Sequence, residues 1–222
     1  MKRQFFIYLF VLLSGAVSAQ MFEGGIFIGG SNYIGDVGST TYINPNSLAF
    51  GGVGKFNYSS RITFRGTLTY TKLNISNEKV NRPASFSGFP LQFDNSLLEA
   101  AIGVEFSFFK YNLIKAGHTQ TPYIIAEVGV NNYLTRQDDS TLKRKTGFSL
   151  PFGVGYKMKL AENIGITFET TFHYTFKDDI DGNNENFAPA RFGNLNSNDW
   201  YVFTGVSIVY AFGRGGCYRD FF

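Results

Sequence analysis

Residues 62–74 alternate almost without a break. Ile62, Phe64, Gly66, Leu68 and Tyr70 fall on one face, and Thr63, Arg65, Thr67, Thr69 and Thr71 on the other. A period of two is the geometry of a β-strand whose faces see different surroundings. The same pattern returns at 148–160, 163–176 and 199–212, where aromatic and aliphatic residues again alternate with Gly, Ser, Thr and Lys. Four less regular segments, 22–30, 48–58, 97–109 and 123–134, bring the number of expected strands to eight. Most of them run 11–14 residues. Strands of globular domains usually run about 5–6 residues, whereas a strand that crosses a bilayer needs about 9–11.

The connections carry the second signal. Ser59-Ser60-Arg61 joins strands two and three, Ala161-Glu162-Asn163 joins six and seven, and residues 110–122 join four and five. The other connections, 31–47, 75–96, 135–147 and 177–198, are longer. Such an alternation of long and short predicts an up-and-down barrel with short periplasmic turns and long external loops. An even strand number then places both termini in the periplasm. The expected fold is all-β: an eight-stranded antiparallel up-and-down transmembrane β-barrel of the outer-membrane type.

The first residues read as an address. Lys2 and Arg3 precede an apolar run at 5–13, and Val17-Ser18-Ala19 offers a small-residue cleavage site. That run is too short to span a bilayer as a helix and fits a secretory signal peptide. No Cys sits at the cleavage point, which excludes a lipoprotein signal. Three regions follow: 1–19 as signal peptide, 20–213 as barrel and 214–222 as a periplasmic tail.

Alternation alone does not say which face is inside, because soluble eight-stranded barrels enclose an apolar interior. Side-chain volume decides. Aromatic residues make up 18% of the chain, and the apolar face of the expected strands carries dozens of side chains, many of them Phe, Tyr, Ile or Leu. The lumen of an eight-stranded barrel is only wide enough to be filled by side chains. It cannot hold so many rings, whereas the circumference can display them to lipid. Aromatics near strand ends, Phe56, Tyr58, Tyr111, Tyr123, Tyr133, Phe148, Phe176, Trp200 and Phe212, are expected to form the interface girdles. Outer-membrane lipid is therefore the first partner. A net charge of +3 gives no reason to expect nucleic acid.

Parity assigns Glu23, Glu99, Glu105, Glu127, Glu169, Lys55, Arg65, Lys157 and Lys159 to the lumen. All but Glu99 fall in the expected periplasmic half. Unpaired, such charges are costly to bury, so a paired network that plugs this end is expected. A selectivity ring for ion conduction is the alternative.

Little else in the chain points to chemistry. His173 falls mid-strand on the lumen face and His118 in a periplasmic turn, neither with a ligand at metal-binding spacing. Ser149 and Thr175 fall near His173, but spacing alone does not establish a triad. Asp178-Asp179-Ile180-Asp181 and the following Asn183, Asn184 and Glu185 lack the ligand spacing of a calcium loop. No cofactor, no metal, no catalytic residue and no small-molecule substrate is expected. Cys217, the only cysteine, lies past the last strand in an oxidising compartment. Intermolecular disulfide pairing and an inert buried thiol both remain open for it.

Several short stretches, taken in order, carry a family resemblance. They are Gly29-Gly30-Ser31-Asn32-Tyr33-Ile34-Gly35-Asp36, then Ile43-Asn44-Pro45, Thr121-Pro122-Tyr123-Ile124, Leu150-Pro151-Phe152-Gly153-Val154-Gly155, Asp178-Asp179-Ile180-Asp181 and Asp199-Trp200-Tyr201-Val202-Phe203. The chain resembles PorG-type outer-membrane proteins of the type IX secretion system of Bacteroidota, DUF6089-like β-barrels. Asn32, Tyr33, Gly35 and Asp36 match the family's first loop. The resemblance implies a non-enzymatic role, tying a periplasmic ring of PorK-like lipoprotein and PorN-like subunits to the outer membrane. It also makes Cys217 a candidate tether. The alternatives are a generic small barrel of the OmpX or OmpA kind, serving envelope integrity or adhesion, and a lipid A-modifying enzyme.

Overall fold

The computed structural model describes residues 21–34, 43, 45–76, 92–114, 119–136, 142–176 and 200–212. Eight strands run in chain order: β1 (Met21–Ile34), β2 (Ser47–Asn57), β3 (Ile62–Ser76), β4 (Gln92–Ser107), β5 (Gln120–Arg136), β6 (Leu142–Ala161), β7 (Ile164–Thr175) and β8 (Trp200–Phe212). Each pairs antiparallel with its sequence neighbours, and β8 returns to β1, so the sheet closes. Closure leaves no strand edge without backbone partners, the condition a sheet must meet in lipid. The signal segment, His118, the 178–185 acidic stretch and Cys217 lie outside the described residues.

The alternation read from the sequence becomes the barrel's two surfaces. Ile26, Ile102 and Phe148 stand outward at 73%, 68% and 69% exposure. Their immediate neighbours Phe27, Ala101 and Ser149 are buried inside. Because side chains repeat every two residues, a one-residue slip would turn the outward rings inward and the lumen charges to lipid. The contrast between the faces therefore specifies the register.

Two short turns close the hairpins at one end. In the β2–β3 turn the Ser59 hydroxyl accepts the amides of Arg61 and Ile62, at 3.2 and 2.9 Å, while the Ser59 amide bonds the Ile62 carbonyl. In the β6–β7 turn Asn163 takes a left-handed conformation, φ 62°, which Asn tolerates better than most residues. A register irregularity between Lys159 and Ala161 precedes it.

Three aromatics assigned to the girdles by their place near strand ends are inside instead. Tyr123 and Tyr133 share the inward parity of Ile125 and Glu127 on β5, and all four are buried. A phenol in this lumen finds polar partners that lipid does not offer. Tyr111 belongs to the segment after β4. Its amide bonds the Ser60 carbonyl at 2.9 Å, and its ring lies under Lys157 Nζ, 4.5 Å from the centroid. Tyr111 and Leu113 thus close the mouth at the short-turn end.

The lumen also has an apolar side that the sequence reading did not foresee. Phe27, Val53, Phe203 and Val209 pack with Tyr111 and Leu113, and Phe27 meets Phe203 edge to face at 5.3 Å. Backbone must come close to make room for these rings. A Cβ at Gly155 would lie 2.4 Å from Tyr123 Cζ, and one at Gly51 2.5 Å from Phe27 Cζ. Only glycine fits opposite them.

Candidate functional site

Glu105 on β4 is the hub of the charged lumen. Lys55 Nζ from β2 lies 2.8 Å from its Oε2, Lys157 from β6 contacts Oε1, and Arg65 Nη1 from β3 stands at 3.6 Å. Arg65 then reaches two further carboxylates. Its Nη1 and Nη2 meet Glu169 on β7 at 3.1 and 3.3 Å, and its Nε meets Glu127 on β5 at 3.2 Å. The Tyr123 hydroxyl donates to Glu169 at 2.9 Å. Six strands, β2 to β7, are tied through one guanidinium and one carboxylate. Taking several charges out of water costs several kcal/mol each, which only close opposite charges and hydrogen bonds offset.

The remaining expected lumen residues sit around this layer. Glu23 is buried and accepts from Asn57 Nδ2 at 2.6 Å, and Asn57 Oδ1 accepts from Thr63 at 2.7 Å. Lys159 is half-buried beside the register irregularity.

Glu99 centres a second cluster. Ser149 and Tyr201 donate to its Oε2 at 2.6 and 2.5 Å, and His173 Nδ1 lies 2.8 Å from Oε1. On its far side, His173 Nε2 lies 2.9 Å from the Thr171 hydroxyl. The Tyr201 ring stacks on the imidazole at 4.2 Å and 19°. Carboxylate, imidazole and hydroxyl stand in the order of a nucleophilic triad, but the surroundings are wrong for acyl transfer. Thr171 is buried, and its strand is bonded to β6 and β8 on both sides. That pairing takes up the backbone amides an oxyanion would need. Chemically the cluster does what the Glu105 layer does: it fills the lumen with polar groups that face one another across the barrel.

Sequence reasoning placed Ser149 near His173 but missed Glu99, Thr171 and Tyr201 as its partners, along with Tyr123 in the lower layer. Parity was the available signal, since Tyr123 shares the face of Glu127 and Tyr201 that of Phe203 and Ser207. Which residues meet across the lumen depends on barrel stagger, and spacing does not reveal it. Among the described residues no group of three His, Cys, Asp or Glu side chains is arranged to hold a metal.

The residues matched to the family's first loop are divided. Asn32 and Tyr33 are paired strand residues, opposite Val202 and Tyr201 of β8, and not loop residues. Gly35 and Asp36 lie outside the described residues. The long closed strand β1 extends further than the expected break at Gly30 because β8 offers it partners as far as Ile34.

No curated protein matches the sequence. Solved structures of similar chain path include neisserial surface protein A of Neisseria, at 13% identity over 88% of this chain and 98% of that one, with a TM-score of 0.49. They also include the N-terminal β-barrel domain of Pseudomonas aeruginosa OprF, at 13% identity, 87% and 98% coverage and a TM-score of 0.44. A major outer membrane protein from Thermus thermophilus is similar at 12% identity, 87% and 100% coverage and a TM-score of 0.46. These likenesses are of path only and identify neither ligand nor activity. A family model, described as a domain of unknown function, DUF6089, matches residues 2–220, and the chain belongs to that family.

Proposed function

We propose that this outer-membrane barrel is a non-enzymatic component of a type IX secretion system, fixing a periplasmic ring of PorK-like and PorN-like subunits to the membrane. Both termini and the short turns face the periplasm in this reading. Its main support is the ordered set of PorG-type stretches spread across the chain. The observation that carries the mechanical part is the filled lumen. With Arg65 bridging three carboxylates and Tyr111 under the mouth, the interior has no passage for a polypeptide. Such a barrel works through its surfaces, as a fixed point in the bilayer.

Crosslinking in native outer membranes followed by capture of the barrel tests the reading. Recovery of a large periplasmic ring assembly is the expected result. Capture of the barrel alone would favour a generic small barrel acting through its external loops. Cys217 is proposed as a covalent tether to a ring subunit. Non-reducing gels should then lose a high-mass band in Cys217→Ser, and an unchanged band pattern sinks the tether. Lipid A from a deletion strain should keep its mass spectrum.

A further inference from the structure

The outer wall of β3–β6 changes character over four successive outward-facing register rows. The lowest runs Gly66–Ile102–Val128 and continues through Gly54 to Gly24 on the other side. Above it lies Leu68–Ala100–Val130–Phe148. Both rows line a groove of about 920 Å³ in the lipid-facing wall. The next row, Tyr70–Leu98–Asn132–Thr146, is half polar, and the one above carries Lys72 and Arg144 at its two ends.

Among the described side chains the charges on this rim are cations. Lys72 and Arg144 are exposed, whereas the only exposed carboxylate among the described side chains, Glu162, lies in the β6–β7 turn at the opposite end. Arg144 Nη1 donates to Asn132 Oδ1 at 3.3 Å, and Asn132 Nδ2 donates to Thr146 at 3.3 Å. That chain holds the guanidinium above the groove with further N–H donors to offer. Arg144 sits four residues above Phe148, about 13 Å along β6. This distance separates acyl chains from a headgroup. The groove itself is not demanded by barrel packing: a Cβ at Gly54 would meet nothing within 4 Å, and one at Gly66 would find its nearest neighbour at 3.8 Å.

We infer that this wall binds one molecule of a phosphorylated glycolipid of the outer leaflet. Its acyl chains lie in the groove, and its phosphate lies on the Arg144–Asn132–Thr146 rim within reach of Lys72. Charge complementarity selects an anionic headgroup over a neutral one, and Arg forks match phosphate oxygens. The inference rests on the orientation taken above, with the long loops outside.

The full-length barrel, delipidated in detergent, is titrated with bisphosphorylated lipid A and read by native mass spectrometry. A one-to-one adduct is expected, at least about tenfold tighter than with dephosphorylated lipid A. Removing both cations in Lys72→Gln/Arg144→Gln should weaken binding about 25-fold, at about fivefold for each charge near a lipid surface. Gly54→Leu and Gly66→Leu should weaken it by filling the groove, with heat-modifiable gel mobility reporting intact folding. Gly54→Ala replaces Leu if that variant does not fold.

Equal affinity for the dephosphorylated lipid, or unchanged affinity in both the charge and groove variants, overturns the site. Full competition by inorganic phosphate overturns the lipid as ligand. Labelling of Arg144→Cys, in a Cys217→Ser background, by an impermeant maleimide on whole cells checks the orientation, and no labelling also overturns it. Ring capture should be unaffected by Gly54→Leu. Loss of ring capture with lipid retained would instead count against the anchoring role alone.

Discussion

Replacing Arg65 by Met is the sharpest test of how the lumen is held. The guanidinium stands 3.1 Å from Glu169, 3.2 Å from Glu127 and 3.6 Å from Glu105, with about 2% of its side chain exposed. Met keeps the aliphatic volume and removes the charge. Glu105 retains Lys55 and Lys157, and Glu169 retains the Tyr123 hydroxyl. Glu127 loses its close contact with the guanidinium Nε. Leaving a buried charge uncompensated costs about 3–5 kcal/mol. With a urea m-value of about 2 kcal/mol/M, the unfolding midpoint should fall by about 2 M. Trp200, the only tryptophan, meets Tyr174 and Phe152 edge to face at the start of β8 and reports the transition by fluorescence in micelles. Arg65→Met/Glu127→Gln/Glu169→Gln should recover most of the loss, since neutral partners remove the buried charge. A midpoint for Arg65→Met within about 0.3 M of wild type would refute the reasoning, because the network would then carry no net energy.

Other outcomes follow from the same geometry. Gly155→Val should destabilise by about 1–3 kcal/mol or prevent closure, since its Cβ would stand 2.4 Å from the Tyr123 ring; a heat-modifiability gel reads this. In a double-mutant cycle of Glu99→Gln and His173→Ala, the coupling should exceed about 0.5 kcal/mol in urea unfolding, as expected of residues in contact. Planar-bilayer recording should find wild type and Tyr111→Ala closed, with the Arg65 layer still in place. Tyr111→Ala/Arg65→Ala should stay closed too, because the Glu99 cluster and the Phe27–Phe203 contact still fill the lumen, and an open wild-type channel would defeat the plug. A fluorophore on Ile102→Cys should be quenched by brominated lipid chains, and one on Ser107→Cys should not, because the two face opposite sides of β4.

Much of this barrel is written in its local order. Strand number, direction and the two faces follow from a period of two, because each side chain's side is settled by its own strand. The assignment of Glu105, Arg65 and Lys157 to the interior came from parity for the same reason. Errors arose where another rule was set above parity. Tyr123 and Tyr133 were sent to the girdle because they are aromatic and near strand ends, although their parity matched Glu127. Tyr111 lies outside any strand, so no periodicity spoke for it, and only the folded turn brings it beneath Lys157.

Which carboxylate meets which cation was a different kind of question. Arg65 and Glu169 are separated by 104 residues, and His173 and Glu99 have the whole of β5 and β6 between them. Their meeting depends on strand tilt and the stagger of the closed sheet, which add up over every pairing around the ring. The sequence by itself determined that this chain rolls into an eight-stranded barrel with its apolar face outward, because alternation and segment length are local quantities. Only the tertiary structure decided that the lumen is divided into a Glu105 layer and a Glu99 cluster. Closure around the ring is a global condition, and no window of neighbouring residues contains it.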